Sequence, residues 1–397
     1  VIGGIGLGLG YISPVSTLIK WFPDRRGMAT GMAIMGFGGG AMIGSPLASM
    51  LMNYFETPTS VGVWQTFVVL GAGYFVYMMA GAFTYRVPPH GWKPEGWTQP
   101  LAKNAMITHG NVHLRDVHKT PQFWLIWAVL MLNVSAGIGV IGIASPMLQE
   151  VFGGGLIGSP DLGFAALDTA QKAAIADVAA GFLALLSLFN IAGRLMWASL
   201  SDHLGRKMTY FCFFGVGMVL YALVPTFAHW GSKALFVGAF CVILSMYGGG
   251  FATVPAYLAD MFGTQFVGAI HGRLLTAWST AGIVGPVVVN YIREFNKAAG
   301  VPTDRLYDAT MYVLVGFLVV GFICNALVRP VAPKWFMSDS EVAALRKSQG
   351  FEVADGDAFG IGRGGFDLKT ALAWAAVGLP MMWGVWKTLQ SAVKIFG

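Results

Sequence analysis

The sequence predicts an all-α, polytopic membrane protein. Three observations carry that prediction. Of its 397 residues, 55% are hydrophobic and 11% charged, against the roughly 25% charge of a soluble domain. The mean hydropathy is +0.63, more apolar side chain than a soluble core of this size can bury. And the apolar residues fall into long runs separated by loops of alternating basic content.

A bilayer-spanning helix needs roughly 20 apolar residues. Such runs lie at about 2–19, 27–52, 61–85, 121–148, 176–200, 208–228, 234–259, 266–291 and 308–328, with a shorter one at 371–386. Lipid offers no partner to an open sheet edge, so each run is expected to be a helix. Loop charge sets the orientation. Lys20, Arg25, Arg26, Arg86, Lys93, Lys103, Arg115, Lys119, Arg206, Lys207 and Arg273 lie in one set of alternate loops. The other set holds only Lys172, Lys233, Arg293, Lys297 and Arg305. The richer set is expected on the cytoplasmic side, with Arg329, Lys334, Arg346, Lys347, Arg363 and Lys369 of the tail.

Composition also excludes classes. The net charge is +6, but the basic residues punctuate apolar runs and form no nucleic-acid face. Cys212, Cys241 and Cys324 all lie in apolar segments without a C-x-x-C, so neither a disulfide framework nor a zinc site is expected. His109, His113 and His118 form only a weak metal pattern. Gly4, Gly6, Gly8 and Gly10 follow no strand and read as helix packing, not as a nucleotide loop. No intramembrane carboxylate pair or Ser/His arrangement suggests an enzyme, and no catalytic residue, cofactor or metal is expected. Asp177 and Glu150, near the outer helix ends, are expected to be solvated.

An internal repeat organises the chain. Residues 8–47 lie over 248–287 at a constant offset of 240, without a gap. Gly8, Gly10, Leu18, Phe22, Ala29, Ala41, Ile43 and Pro46 meet Gly248, Gly250, Leu258, Phe262, Ala269, Ala281, Ile283 and Pro286. In the second half, three helices precede the repeated pair; in the first half, none does. Three helices are therefore expected upstream of Val1, completing two bundles of six, and the chain alone is expected not to transport. The expected division is 1–86 for the second part of the first bundle and 87–120 for a cytoplasmic connection. It continues with 121–330 for the second bundle and 331–397 for a tail with a short apolar helix.

The segment Ala198-Ser199-Leu200-Ser201-Asp202-His203-Leu204-Gly205-Arg206-Lys207 resembles the G-x-L-a-D-r-x-G-R-K loop of the major facilitator superfamily, departing at Ala198 and His203. That resemblance implies a fold of two six-helix bundles that rock about a central site. It points to Asp202, Gly205 and Arg206, with Arg26 opposite, as a cytoplasmic gate. Asp202 is expected to dock at the start of helix 27–52, where an acid is favoured by the helix dipole.

A finer resemblance is to the oxalate/formate antiporter family. It rests on Asn133-Val134-Ser135-Ala136-Gly137-Ile138-Gly139 with Ala144-Ser145-Pro146-Met147-Leu148-Gln149-Glu150, on Trp21-Phe22-Pro23-Asp24-Arg25-Arg26-Gly27-Met28-Ala29, and on His271-Gly272-Arg273-Leu274-Leu275-Thr276-Ala277-Trp278. It covers about residues 1–330. The tail at 371–397 is similar to a short one-helix subunit found near some of these transporters.

Arg194 lies eight residues before Asp202, about 12 Å along a helix. An arginine at that depth is costly unless it faces a partner or an aqueous cavity. It either snorkels to the cytoplasmic surface or binds an anion, since its planar fork matches a carboxylate. The resemblance implies the second role. Relatives that carry oxalate have a lysine after a Thr-Ala pair in the eleventh helix; here Thr276-Ala277 is followed by Trp278. Tyr247 and Phe251, at i and i+4, resemble the aromatic walls of the family's site and also fit plain packing.

The expected function is secondary transport of small organic anions, mono- or dicarboxylates such as formate, oxalate, lactate or pyruvate, by alternating access, as exchanger or proton symporter; the single cation at Arg194 favours a monocarboxylate. The chain is expected in the bilayer of the inner (plasma) membrane, as a multi-pass protein. A transporter-like carboxylate sensor is the alternative; the tail lacks a recognisable signalling domain.

Overall fold

The computed structural model describes residues 2–89, 92–97, 106–159, 162–348 and 368–395. Of Ala41, Arg346, Lys347, Ser348 and Lys369 only the backbone is described. Parts of the expected 87–120 connection and of the 331–397 tail, with Lys103 and Arg363, lie outside the described residues.

Three helices precede the connection: α1 (Ile2–Trp21), α2 (Arg26–Phe55) and α3 (Val63–Thr84). Seven follow it: α4 (Pro121–Phe152), α5 (Thr169–Leu204), α6 (Arg206–His229), α7 (Lys233–Phe262), α8 (Val267–Leu274), α9 (Thr276–Ala298) and α10 (Asp308–Leu327). The tail holds α11 (Asp339–Ser348) and α12 (Leu368–Val393). Among the described residues there is no strand, and nine helical spans, α8 and α9 counting as one, are long and apolar enough to cross a membrane. Helices pair most of their backbone groups within the span, which is the solution lipid permits.

Local sequence explains the boundaries. Pro121 stands in the first turn of α4, where its missing N–H is no loss, and Thr120 caps the same end. Asp168 and Gln171 close a reciprocal capping box at the start of α5. The expected single helix at 266–291 is instead α8 and α9, divided at Leu275. There the Thr276 hydroxyl donates to the Arg273 carbonyl at 2.8 Å. The tail helix is longer than expected. Its apolar run ends before Lys387, but the helix continues to Val393, because one lysine does not interrupt backbone pairing.

α7 is buried on nearly every side, packed between α5 and α6. α5 is the hinge of the assembly: it packs along α7 on one side and along α2, from before the connection, on the other. α12 lies against both α2 and α5. The connection tucks beneath the second group of helices. Thr108 N and Val112 N donate to the Asp260 and Phe262 carbonyls at 2.8 and 2.9 Å. Glu150 is not solvated, contrary to expectation. It accepts hydrogen bonds from Arg293 and the Tyr307 hydroxyl, tying the far ends of α4, α9 and α10 together, whereas Asp177 is exposed.

Candidate substrate site and gate

Glycines bring the backbones close enough to fix Arg194. A Cβ at Gly193 would lie 2.1 Å from the Ser245 carbonyl oxygen, and one at Gly248 2.2 Å from that of Asn190, so α5 and α7 interlock. On the other side, a Cβ at Gly27 would lie 2.1 Å from the Ala198 carbonyl and one at Gly31 2.8 Å from that of Arg194. A Cβ at Gly38 would come 3.1 Å from Arg194 Nε. These three glycines of α2 form a groove into which α5 and its arginine fit.

Arg194 is 6% exposed. Its Nε donates to Asn190 Oδ1 at 3.1 Å and its Nη1 to the Ile34 carbonyl at 3.0 Å. Nη2 has no hydrogen-bond partner among the described residues. The guanidinium carbon lies 5.7 Å from the Phe37 ring centroid and 5.6 Å from that of Phe251, within cation–π range of both. Phe251 in turn contacts Trp278, with centroids 4.8 Å apart, and stacks on Tyr11 at 5.6 Å. The Tyr11 hydroxyl is buried without a partner, as is Nε2 of the neighbouring His271. Tyr247 packs its ring on Gly137. The result is one cation in an aromatic box built by α1, α2, α5, α7 and α9. No lysine or second arginine joins it among the described residues.

At the basic-loop end, α2 begins with Arg25 in the cap position, which supplies no side-chain cap. Asp202 of α5 supplies it from outside. Its Oδ1 accepts from Gly27 N at 2.8 Å and its Oδ2 from Met28 N at 2.9 Å. Gly205, with φ +84° and ψ 146°, turns the chain sharply between α5 and α6, a conformation glycine alone adopts readily. The turn folds Arg206 back onto Asp202 Oδ1 at 2.6 Å, Asp260 Oδ2 at 3.0 Å and the Ser201 hydroxyl. Arg26 completes the network on Asp260 Oδ1 at 2.9 Å. Two arginines and two aspartates, nearly buried, thus join α2 to α5, α6 and α7 with no net charge left over.

The family model of the Major Facilitator Superfamily matches residues 1–286. The chain belongs to that superfamily. It is therefore a multi-pass membrane protein of a transporter family. It is similar to an oxalate:formate antiporter of Oxalobacter formigenes, 28% identical over 86% of this chain and 72% of the relative. It is also similar to an uncharacterised facilitator-type transporter of Escherichia coli, 24% identical over 71% of this chain and 61% of the relative. A third relative is an apicoplast pyruvate carrier of Toxoplasma gondii, 25% identical over 68% of this chain and 54% of the relative. The chain thus spans between about half and three quarters of the length of these relatives.

Within this facilitator fold, the structure brings Arg194, Phe251 and Trp278 into contact around one box, with Tyr247 beside it. It brings Asp202, Gly205, Arg206 and Arg26 into one cluster some distance along the same α2–α5 seam. Sequence reading missed Tyr11, Phe37 and Asp260. Tyr11 had a signal: adding the repeat offset of 240 gives Phe251, and these two rings stack on one another. Asp260 had a weaker one, as an acid at the end of an otherwise apolar helix. Phe37 had none, being one apolar residue among many.

Proposed function

We propose that this chain is part of a secondary transporter that moves small monocarboxylates, such as formate, lactate or pyruvate, by alternating access in the inner membrane. The observation that carries the reading is the buried Arg194, whose Nη2 has no hydrogen-bond partner among the described residues, held in an aromatic box between α2 and α7. Arg194 is the carboxylate ligand in this reading. Trp278, Tyr247 and Phe251 shape the apolar remainder of the site. The names of two relatives, an oxalate:formate antiporter and a pyruvate carrier, support the same substrate class.

One cation neutralises one carboxylate. A dianion would retain an uncompensated charge in a poorly solvated box, and only a proton or a second cation relieves that. Trp278 supplies an apolar face and a single indole N–H in place of such a cation. The monocarboxylate is moved in exchange for another or together with a proton.

In this reading the helices of 1–86 and of 121–330 belong to two bundles that rock against each other, joined by 87–120. Asp202, Gly205, Arg206 and Arg26 form the gate that closes the cytoplasmic side. Uptake of labelled formate and pyruvate into liposomes carrying the purified transporter tests the reading. Arg194→Ala is expected to abolish uptake. Arg194→Lys keeps the charge but loses the planar fork, and is expected to lower uptake at least about tenfold. Full activity in Arg194→Ala would place the anion elsewhere.

A further inference from the structure

We propose that the tail helix α12 is a strut across the seam between α2 and α5, and that by bridging them it favours the arrangement with the cytoplasmic gate shut; this rests on the reading that the two groups of helices rock. Starting from the gate, α2 and α5 touch directly. Gly27 meets the Ala198 carbonyl, Gly31 the Arg194 carbonyl and Gly38 the Ile191 side chain. Further from the gate, both helices turn glycine or bare backbone to α12. A Cβ at Gly39 of α2 would lie 3.0 Å from Met381 Sδ, and one at Gly384 of α12 would lie 3.2 Å from the Met42 carbonyl oxygen. On α5, a Cβ at Gly181 would lie 2.2 Å from the Ser391 carbonyl oxygen. α12 thus runs with α2 at Met381 and Gly384 and reaches α5 about two turns later, at Ser391.

The sequence of α12 suits that place. Gly384, Thr388 and Ala392 recur every fourth residue and are buried, one stripe of the helix. Small side chains there let the backbones approach closely. Leu372, Leu379, Met382, Trp386 and Leu389 lie exposed on the other side, an apolar face as acceptable to lipid as to protein. Rocking moves α5 relative to α2. α12 meets both through backbone and short side chains, which cannot stretch to follow two partners as a long side chain can. When α2 and α5 shift, α12 therefore keeps its contact with only one of them. A contact made in one arrangement and lost in the other shifts the equilibrium towards the first. The arrangement in which α12 bridges the seam is also the one in which Asp202 caps α2. α12 accordingly opposes the opening of a gate that lies at the opposite end of the seam.

Two measurements on the whole transporter in lipid test the strut. Gly39→Cys combined with Met381→Cys should give a cross-linked α2–α12 peptide on oxidation, read by mass spectrometry; its absence overturns the docking. Amide hydrogen exchange without substrate then reads the gate. Gly181→Leu drives a side chain into the α12 backbone, and Gly384→Leu drives one into the α2 backbone. Each should speed exchange at Gly27 and Met28 at least about fivefold, the lower end of ordinary coupling between sites. Trp386→Ala, on the lipid-facing side of α12, should leave it unchanged. Loss of packing confined to positions 181 or 384 would not reach Gly27 and Met28. Retained protection in α7 shows that a variant is folded; should Gly181→Leu lose it, Gly384→Leu, which alters only α12, decides. Unchanged exchange at Gly27 and Met28 in the folded variants overturns the strut and leaves the transport reading standing. Failure of the unmutated transporter to take up formate, lactate or pyruvate sinks the transport reading instead, and the gate measurement, made without substrate, tells the two failures apart.

Discussion

Arg194 was legible in the sequence because a cation inside an apolar helix has few physical excuses. What surrounds it was less so. The Ile34 carbonyl is backbone and carries no sequence signal, and Phe37 is one of 28 phenylalanines. Trp278 was visible as a departure from the pattern of the similar family, and the structure sets its ring against Phe251, which itself faces the guanidinium. The charge argument makes a prediction at this scale. Trp278→Lys should shift preference from mono- towards dicarboxylates by at least about tenfold, since a paired charge in a desolvated site is worth more than one such factor. Inhibition of formate uptake by oxalate, compared in the variant and the unmutated transporter, measures it.

Among the elements, α2 shows how sequence-local rules give out. Its first turn lacks a capping side chain, and only the fold reveals that Asp202 provides one from another helix. Asp202→Ala should leave Gly27 N and Met28 N without that acceptor and strip Arg206 of one partner. The expected cost to the closed state is about 1–3 kcal/mol. Faster hydrogen exchange at Gly27 and Met28 would report it, and unchanged protection there would refute it. Gly205→Ala should do similar damage by another route. An alanine at φ +84° is strained by about 1–3 kcal/mol, so Arg206 loses its approach to Asp202 and Asp260. The break at Leu275 was hidden because the apolar pattern runs through it undisturbed. α11 starts on a local cap. Ser338 and Glu341 cap it reciprocally, and the Ser338 N–H and hydroxyl hold the Glu341 carboxyl below the usual glutamate range. A carboxyl depressed by folding contributes support above its unfolded pKa and loses it as pH falls through the folded one. Amide protection in the first turn of α11 should therefore be intact at neutral pH and fall in acid below the ordinary glutamate range.

Across the whole molecule, the apolar runs made the helical fold readable. Binary patterning is strongest where lipid forbids alternatives. The offset also predicts geometry. Residues 8–47 and 248–287 should superpose with connectivity preserved, placing Tyr11 on Phe251 and Gly38 on Trp278, and a superposition that needs a shifted register would remove the case for duplication. The site was only half legible, because its walls come from helices far apart in the chain and the groove that seats Arg194 is made of backbone and glycine. The account stands most directly on the single charge in the aromatic box. Competition for labelled formate uptake among oxalate, lactate and pyruvate, in liposomes holding the unmutated transporter and its Arg194→Ala variant, tests it in one measurement. The account predicts that lactate or pyruvate competes more strongly than oxalate at neutral pH, and that the variant takes up no formate. Oxalate competing most strongly, or uptake persisting without Arg194, would contradict it.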